Sequence, residues 1–140
     1  MALTRILQAV PSSTEVQSAR TVRTVAAATQ TYTKSKEIRI TFDGGYRIRF
    51  DLKSNGTSAL LGQIYRNGSA IGTERSTIAT TLVSYIEDIG GWEKDDLCQV
   101  YVKHLSGGGA GEVSGFVIGA EYAYVPPPIP AGKVDTDTNV

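Results

Sequence analysis

The feature that most constrains the fold of this sequence is a regular alternation of apolar and polar side chains on either side of residues 43–45. Alternation with a period of two residues is typical of a strand with one buried face. The Asp43-Gly44-Gly45 segment between the two runs supplies residues that tolerate the positive φ angles of a tight turn. We therefore predict a β-hairpin whose inward side chains are Ile38, Ile40, Phe42, Tyr46, Ile48, Phe50 and Leu52.

Further strand patterns follow this segment. Leu60–Arg66 leads through Asn67-Gly68, a strong hairpin signal, to a short partner at Ala70–Thr73. Later strands are predicted at Thr80–Ile89, Asp95–Leu105 and Val113–Val125, with Gly90-Gly91 and Ser106–Gly111 as loops and with Val100, Phe116 and Ile118 in the core. A turn or two of helix is expected only near Ser13–Ala19. About seven or eight short strands predict an all-β fold, an antiparallel β-sandwich or jelly-roll-like barrel.

Composition divides the chain into three zones. Residues 1–35 are rich in Ser and Thr and contain one aromatic residue, Tyr32, so they are expected to form an extended N-terminal arm. Residues 36–125 contain the other aromatic residues and form the predicted sandwich domain. Residues 126–140 begin with clustered prolines and are expected to form an extended C-terminal tail.

The charge pattern argues against two classes of partner. Lys and Arg together number 14, as do Asp and Glu, so no net field attracts nucleic acid or an acidic membrane. Arg39, Arg47 and Arg49 would form a small basic patch outside the predicted hairpin, but without aromatic residues to stack on bases. No stretch is long and apolar enough to span a membrane, and residues 1–11 lack the apolar core of a signal peptide. We expect synthesis in the cytoplasm, without a nucleic-acid or membrane partner.

The residues that could carry chemistry do not form a recognisable active site. His104, the only histidine, stands at the end of a strand, where a surface or hydrogen-bonded structural role is commoner than catalysis. Cys98 alternates with Val100 and Val102, which predicts a buried thiol and excludes an internal disulfide. One cysteine and one histidine do not complete a zinc site. The sequence therefore predicts a non-enzyme with no cofactor. Calcium at the acidic pairs Glu87-Asp88 and Asp95-Asp96 remains an open alternative.

Several short strand and turn segments between Tyr46 and Tyr122 are similar to segments of a known group of proteins. They are RIRFDLK at 47–53, GQIYRNG at 62–68, AIGTER at 70–75 and DDLCQVYVK at 95–103. This part of the chain resembles β-sandwich virion proteins of tailed bacteriophages, of the head-decoration (cement) and tail or fibre groups. The resemblance implies a jelly-roll-like sandwich, often trimeric, that attaches to a capsid or tail surface. It also implies a virion location after synthesis in the host cytoplasm.

The leading hypothesis is therefore a capsid decoration protein that forms a homo-oligomer, with a trimer favoured, and stabilises adjacent capsid subunits. Its partners would be capsid or other virion proteins, bound through the sandwich and through arms that become ordered on a neighbour. The N-terminal arm is basic and would suit an acidic receiving surface. The expected partner-binding residues are Leu3, Arg5, Ile6, Leu7, Arg20, Arg23, Pro126, Pro127 and Pro128.

Two other classes of function compete with this hypothesis. The alternative is a carbohydrate-binding or receptor-binding module of a phage tail or fibre. Sugar-binding sandwiches present exposed aromatic residues flanked by polar ones, and Trp92 with Tyr122 or Tyr124 could supply them. The third class is a small hydrolase built on a jelly roll, against which the single histidine argues.

Overall fold

The computed structural model describes residues 15–120, which form two antiparallel five-stranded sheets packed face to face. Sheet A has the order β1-β10-β4-β8, with β2 also paired to β10, and sheet B has the order β3-β9-β5-β6, with β7 also paired to β5. Within these residues there is no helix, so none could span a membrane. The predicted all-β sandwich is confirmed. The strands are β1 Glu15–Ala19, β2 Arg23–Val25, β3 Thr33–Arg39, β4 Gly44–Lys53, β5 Leu60–Arg66, β6 Ser69–Ala70, β7 Arg75–Thr77, β8 Val83–Trp92, β9 Leu97–His104 and β10 Gly111–Ala120.

The core lies between the two sheets and contains the inward positions that the alternation predicts. Buried residues include Ile38, Ile40, Tyr46, Ile48, Phe50, Leu52, Val100, Phe116 and Ile118. Phe42 is the exception, since 71% of its surface is exposed. The strand pattern predicts it as buried, but β3 ends at Arg39 and the chain then leaves the sheet, so the alternation no longer determines which way a side chain points.

The predicted hairpin around residues 43–45 does not form, although both of its strands do. β3 belongs to sheet B and pairs with β9, whereas β4 belongs to sheet A and pairs with β8 and β10. Residues 40–43, between the end of β3 and the start of β4, therefore connect the two sheets at a corner. The alternation determined which face of each strand is buried, but two strands can bury their apolar faces side by side or opposite each other. Here they lie opposite each other across the core.

The second predicted hairpin is confirmed, although its partner strand is Ser69–Ala70 and not the predicted Ala70–Thr73. Asn67 and Gly68 both have positive φ angles, 51° and 86°, as a two-residue hairpin turn requires. The turn joins β5 to β6, which pair through Tyr65 and Ala70. The Asn67 side chain also fixes the start of β9, because its Oδ1 accepts a hydrogen bond from the backbone N–H of Leu97 at 2.8 Å.

The longest edge strand differs from its predicted limits. β8 begins at Val83 and continues to Trp92 through Gly90-Gly91, where a loop was predicted. Gly91 has a φ of 77°, and the pairing with β4 shifts register in the same region. A glycine in this conformation lets the strand accommodate an irregularity and continue beyond it.

The region predicted as an N-terminal arm contributes strands from Glu15 onward. β1 and β2 pair with the same edge of β10, and Val25 is 4% exposed within the core. A strand rather than the predicted helix occupies 15–19. Main-chain pairing needs little apolar side-chain area, which is why a Ser- and Thr-rich segment can join a sheet edge. Residues 1–14 and 121–140, including the proline tail, lie outside the described residues.

Candidate functional site

Most of the predicted partner-binding residues lie outside the described part of the chain. These are Leu3, Arg5, Ile6, Leu7, Pro126, Pro127 and Pro128. Arg20 and Arg23 are described, and both are exposed beside the edge formed by β1 and β2. The carbonyl of Arg20 accepts a hydrogen bond from the N–H of Gly115 at 3.2 Å, which ties this edge to β10.

The aromatic pair proposed for sugar binding is not available as predicted. Trp92 is 1% exposed, because β8 continues to this residue and directs its ring inward. The guanidinium carbon of Arg66 lies 4.2 Å from the Trp92 ring centroid. Tyr122 and Tyr124 lie outside the described residues. An exposed role for Trp92 is therefore a wrong prediction.

Two residues considered for chemistry are buried. Cys98 is fully buried as predicted, and burial raises the pKa of its thiol far above the usual range. His104 is 1% exposed, with Nε2 3.1 Å from the carbonyl oxygen of Val25. Neither side chain is accessible to a substrate at the surface. Their positions favour structural roles.

The arginines predicted to form a basic patch lie on two different sheets, where Arg39 and Arg47 each lie near an aspartate. Arg39 lies on sheet B near Asp95, whereas Arg47 binds Asp88 at 2.7 Å on sheet A, so the three arginines form no common patch. Glu87 accepts hydrogen bonds from Thr73. In residues 15–120, no group of three or more His, Cys, Asp or Glu side chains lies together as metal ligands would.

A cluster of three tyrosines lies instead on the outer face of sheet B. In β9, Val100 and Val102 are buried, so Tyr101 between them points outward. In β5, Ile64 is buried and Tyr65 points outward in the same way. Because Gln63 is the direct partner of Tyr101, Tyr65 is its diagonal neighbour across the antiparallel pair. We call Tyr32, Tyr65 and Tyr101 the tyrosine platform.

The platform is held together by ring contacts. The rings of Tyr65 and Tyr101 stack with centroids 3.8 Å apart and an interplanar angle of 11°. Tyr32 immediately precedes β3, and its ring centroid lies 6.0 Å from that of Tyr65. All three side chains are partly exposed. Within residues 15–120, the Tyr65 and Tyr101 hydroxyls have no hydrogen-bond partner, which leaves both available to a ligand.

Polar side chains surround the platform and fix its geometry. The Tyr32 hydroxyl donates to Glu74 Oε2 at 2.5 Å, and Lys103 Nζ lies 4.8 Å from the Tyr32 ring centroid. Burial, and then the bond to Glu74, raise the pKa of Tyr32, so its hydroxyl stays a proton donor. On the other side, Lys34 Nζ binds Glu37 Oε1 at 2.7 Å. The rim thus carries both signs of charge around an aromatic centre.

The tyrosine platform is a candidate site that was not predicted from the sequence, although part of its signal was present. The alternation in β5 and β9 predicts that Tyr65 and Tyr101 point outward. What it does not predict is that β5 and β9 are neighbours, which brings together residues 36 positions apart in sequence. Tyr32 was assigned to an arm.

Comparisons with known proteins identify the fold. No protein-family model matches the sequence, and no curated protein matches it. Among solved structures, the chain is similar to the C-terminal domain of EclA, described as a sugar-binding protein, with a TM-score of 0.56 and 12% identity over 74% of this chain and 80% of that one. At this identity the similarity shows the β-sandwich fold alone.

Two further structures match with lower TM-scores. One is a carbohydrate-binding module of Cellvibrio mixtus lichenase 5A in complex with cellotriose, with a TM-score of 0.40 and 14% identity over 82% of this chain and 98% of that one. The other is an arabinose-bound α-L-arabinofuranosidase, MgGH51, with a TM-score of 0.40 and 12% identity over 74% of this chain and 22% of that one. At these TM-scores neither structure bears on the argument.

Proposed function

We propose that this chain is a carbohydrate-binding module and that the tyrosine platform is its binding face. The observation that carries the proposal is the stacked Tyr65–Tyr101 pair, with both hydroxyls unbonded within the described residues, on the outer face of sheet B. A sugar ring has apolar C–H surfaces bordered by hydroxyl groups. Tyrosine matches this chemistry because it presents an apolar ring and a polar tip on one rigid side chain.

The polar rim favours a sugar over a nucleic acid. Lys34 is paired with Glu37, and Lys103 lies near a tyrosine that is bonded to Glu74, so the cations are offset by nearby carboxylates. Binding to single-stranded nucleic acid combines stacking with an excess of positive charge along the backbone path. Here the stacking surface is present, but Lys34 and Lys103 at its rim are offset by Glu37 and Glu74.

The module is proposed to bind without catalysis. His104 and Cys98 are both buried away from the tyrosine platform, which supports this reading. The EclA domain, similar in fold, is itself described as a sugar-binding protein. Capsid decoration, the phage resemblance and the trimer stay predictions.

A glycan array followed by calorimetry with the best neutral and charged hits tests the proposal. Tyr101→Ala removes half of the stack and should weaken binding at least about 10-fold, or about 1.4 kcal/mol. The control is Phe42→Ala, which removes an exposed aromatic residue at the corner between the sheets and should leave affinity unchanged. Failure of the native chain to bind any glycan, or equal losses in both variants, would contradict the proposal.

A second pair of variants tests the hydroxyl groups separately from the rings. Tyr101→Phe keeps the ring and should weaken binding about 2- to 10-fold, the usual net effect of one hydrogen bond. Tyr85→Phe is the control, because Tyr85 lies in β8 of sheet A and its hydroxyl donates to the carbonyl of Ser76 and not to a platform residue. It should bind glycan as the native chain does.

A further inference from the structure

A cleft of about 340 Å³ opens on the side of the sandwich where the edges of the two sheets meet. One wall comes from the end of β1, the segment after it and the start of β2 in sheet A, with Thr21 and Arg23. The other wall comes from β3 in sheet B, with Lys34, Lys36 and Glu37. The residues that line the cleft therefore include Arg23, two lysines and one glutamate.

Lys36 occupies a position that a hydrophobic residue would normally take. It lies on the same side of β3 as Ile38, its backbone partner is the core residue Val100, and it is 5% exposed. Burying an ammonium group is costly unless it is paired. A leucine or methionine would fill the same position without that penalty, so the charge calls for a physical reason.

The described contacts satisfy Lys36 only in part. Its ammonium donates to the backbone carbonyl of Thr21 and to the Thr21 hydroxyl, the latter at 3.0 Å. An ammonium has three donors, and both of these acceptors are neutral. One N–H therefore remains for another acceptor.

No described carboxylate neutralises this charge. Among residues 15–120, Lys36 makes no salt bridge, and Glu37 is bonded to Lys34. The nearby charge that acts on Lys36 is Arg23, which has the same sign and, after burial, lowers the pKa of Lys36. Arg23 itself has no ion pair within the described residues. Two cations without counter-charge thus share one cleft.

We infer that this cleft binds an anionic group, a carboxylate or sulfate, held by Lys36, Arg23 and the Thr21 hydroxyl. Lys34 lines the cleft and is also the backbone partner of Tyr101, so the cleft adjoins the tyrosine platform. This assignment rests on the proposed function. If the platform binds a sugar, the ligands of the whole site are acidic saccharides. The sugar ring would contact the platform while its acidic substituent enters the cleft.

Titration with sodium sulfate, followed by the backbone amide signals of Thr21, Ser35 and Lys36 in NMR spectra, tests the anion site without any glycan. The native chain should show saturable shifts at these amides. Arg23→Gln, an exposed substitution, and Lys36→Met should each weaken sulfate binding at least about 5-fold. Lys94→Gln, which removes one exposed cation between β8 and β9, should not. Absence of saturable shifts in the native chain, or equal weakening by all three variants, would overturn the site.

Matched glycans separate this inference from the proposed function. Replacing one hexose of a neutral oligosaccharide that binds by its uronic acid or 6-sulfate should tighten binding at least about 5-fold. Arg23→Gln should abolish this difference in affinity. Tyr101→Ala should weaken the binding of both the neutral and the acidic ligand. Glycan binding without an acidic preference would overturn the inference and leave the proposed function standing. Sulfate binding without any glycan binding would support the anion site and overturn the proposed function.

Discussion

Replacement of Gly115 by alanine should destabilise the fold more than an equivalent change at two other glycines. Gly115 has a φ of 61°, and an added Cβ would lie 2.3 Å from Asp51 Oδ2. The left-handed conformation costs an alanine roughly 1–2 kcal/mol. Asp51 is 8% exposed and accepts a hydrogen bond from Ser84 at 2.7 Å. Displacing Asp51 would break this buried hydrogen bond and cost about 1–3 kcal/mol more. The expected loss is the sum of the two costs, about 2–5 kcal/mol.

Two further glycines separate these causes. Gly68 has a φ of 86° but nothing within 4 Å of an added Cβ, so Gly68→Ala should show the backbone cost alone. Gly90 also has open space around it, without a positive φ, and Gly90→Ala should leave stability within about 0.5 kcal/mol of the native chain. Urea titration of all three variants measures the differences. If Gly115→Ala loses no more than Gly68→Ala, the contact with Asp51 has no energetic weight and the reasoning is wrong.

Three other predictions concern the core, the buried lysine and the N-terminal strands. Phe50→Ala should cost about 3–5 kcal/mol in denaturant titration, because it empties a buried aromatic site, and a loss below about 1 kcal/mol would contradict the assigned register. The folded state lowers the pKa of Lys36 below its ordinary 10.5, so between the folded and unfolded pKa values the unfolded chain binds more protons than the folded chain. The free energy of unfolding of the native chain, compared with that of Lys36→Met, should therefore rise with pH in that window. A fragment of residues 36–125 lacks β1, β2 and the start of β3, so it should melt well below a 15–125 fragment by circular dichroism; equal melting would show that these strands are dispensable.

The sequence was sufficient to predict which side chains of β4 and β10 face the core. Ile48 and Phe50 in β4, and Phe116 and Ile118 in β10, follow from alternation alone because each strand has one face against the opposite sheet. Phe42 shows the limit of this reasoning. The alternation continues beyond Arg39 in the sequence, but the strand does not, and only the tertiary structure determines where the chain leaves the sheet.

Strand pairing was less predictable, and the candidate site depends on it. Asn67-Gly68 specifies its hairpin locally, because both residues must adopt positive φ angles. No local signal specifies that β5 lies beside β9, since their pairing joins residues distant in sequence and is selected by the packing of the whole core. The Tyr65–Tyr101 stack exists only because of that pairing.

In the anion cleft, too, the position of a residue on its strand could be predicted from the sequence, whereas its neighbours in space could not. Extending the alternation of Ile38 and Ile40 back by two residues places Lys36 on the inner face, so its unusual position was open to prediction from the sequence. Its environment was not, because Thr21 and Arg23 belong to a segment whose composition favours an unstructured arm. Pairing of β2 with β10 positions this segment opposite β3 and forms the cleft. If the neighbouring platform binds the acidic saccharide proposed here, the preference for acidic ligands depends on a segment that does not resemble a strand in sequence. Removal of residues 15–35 should therefore eliminate this preference and also lower the stability of the fold.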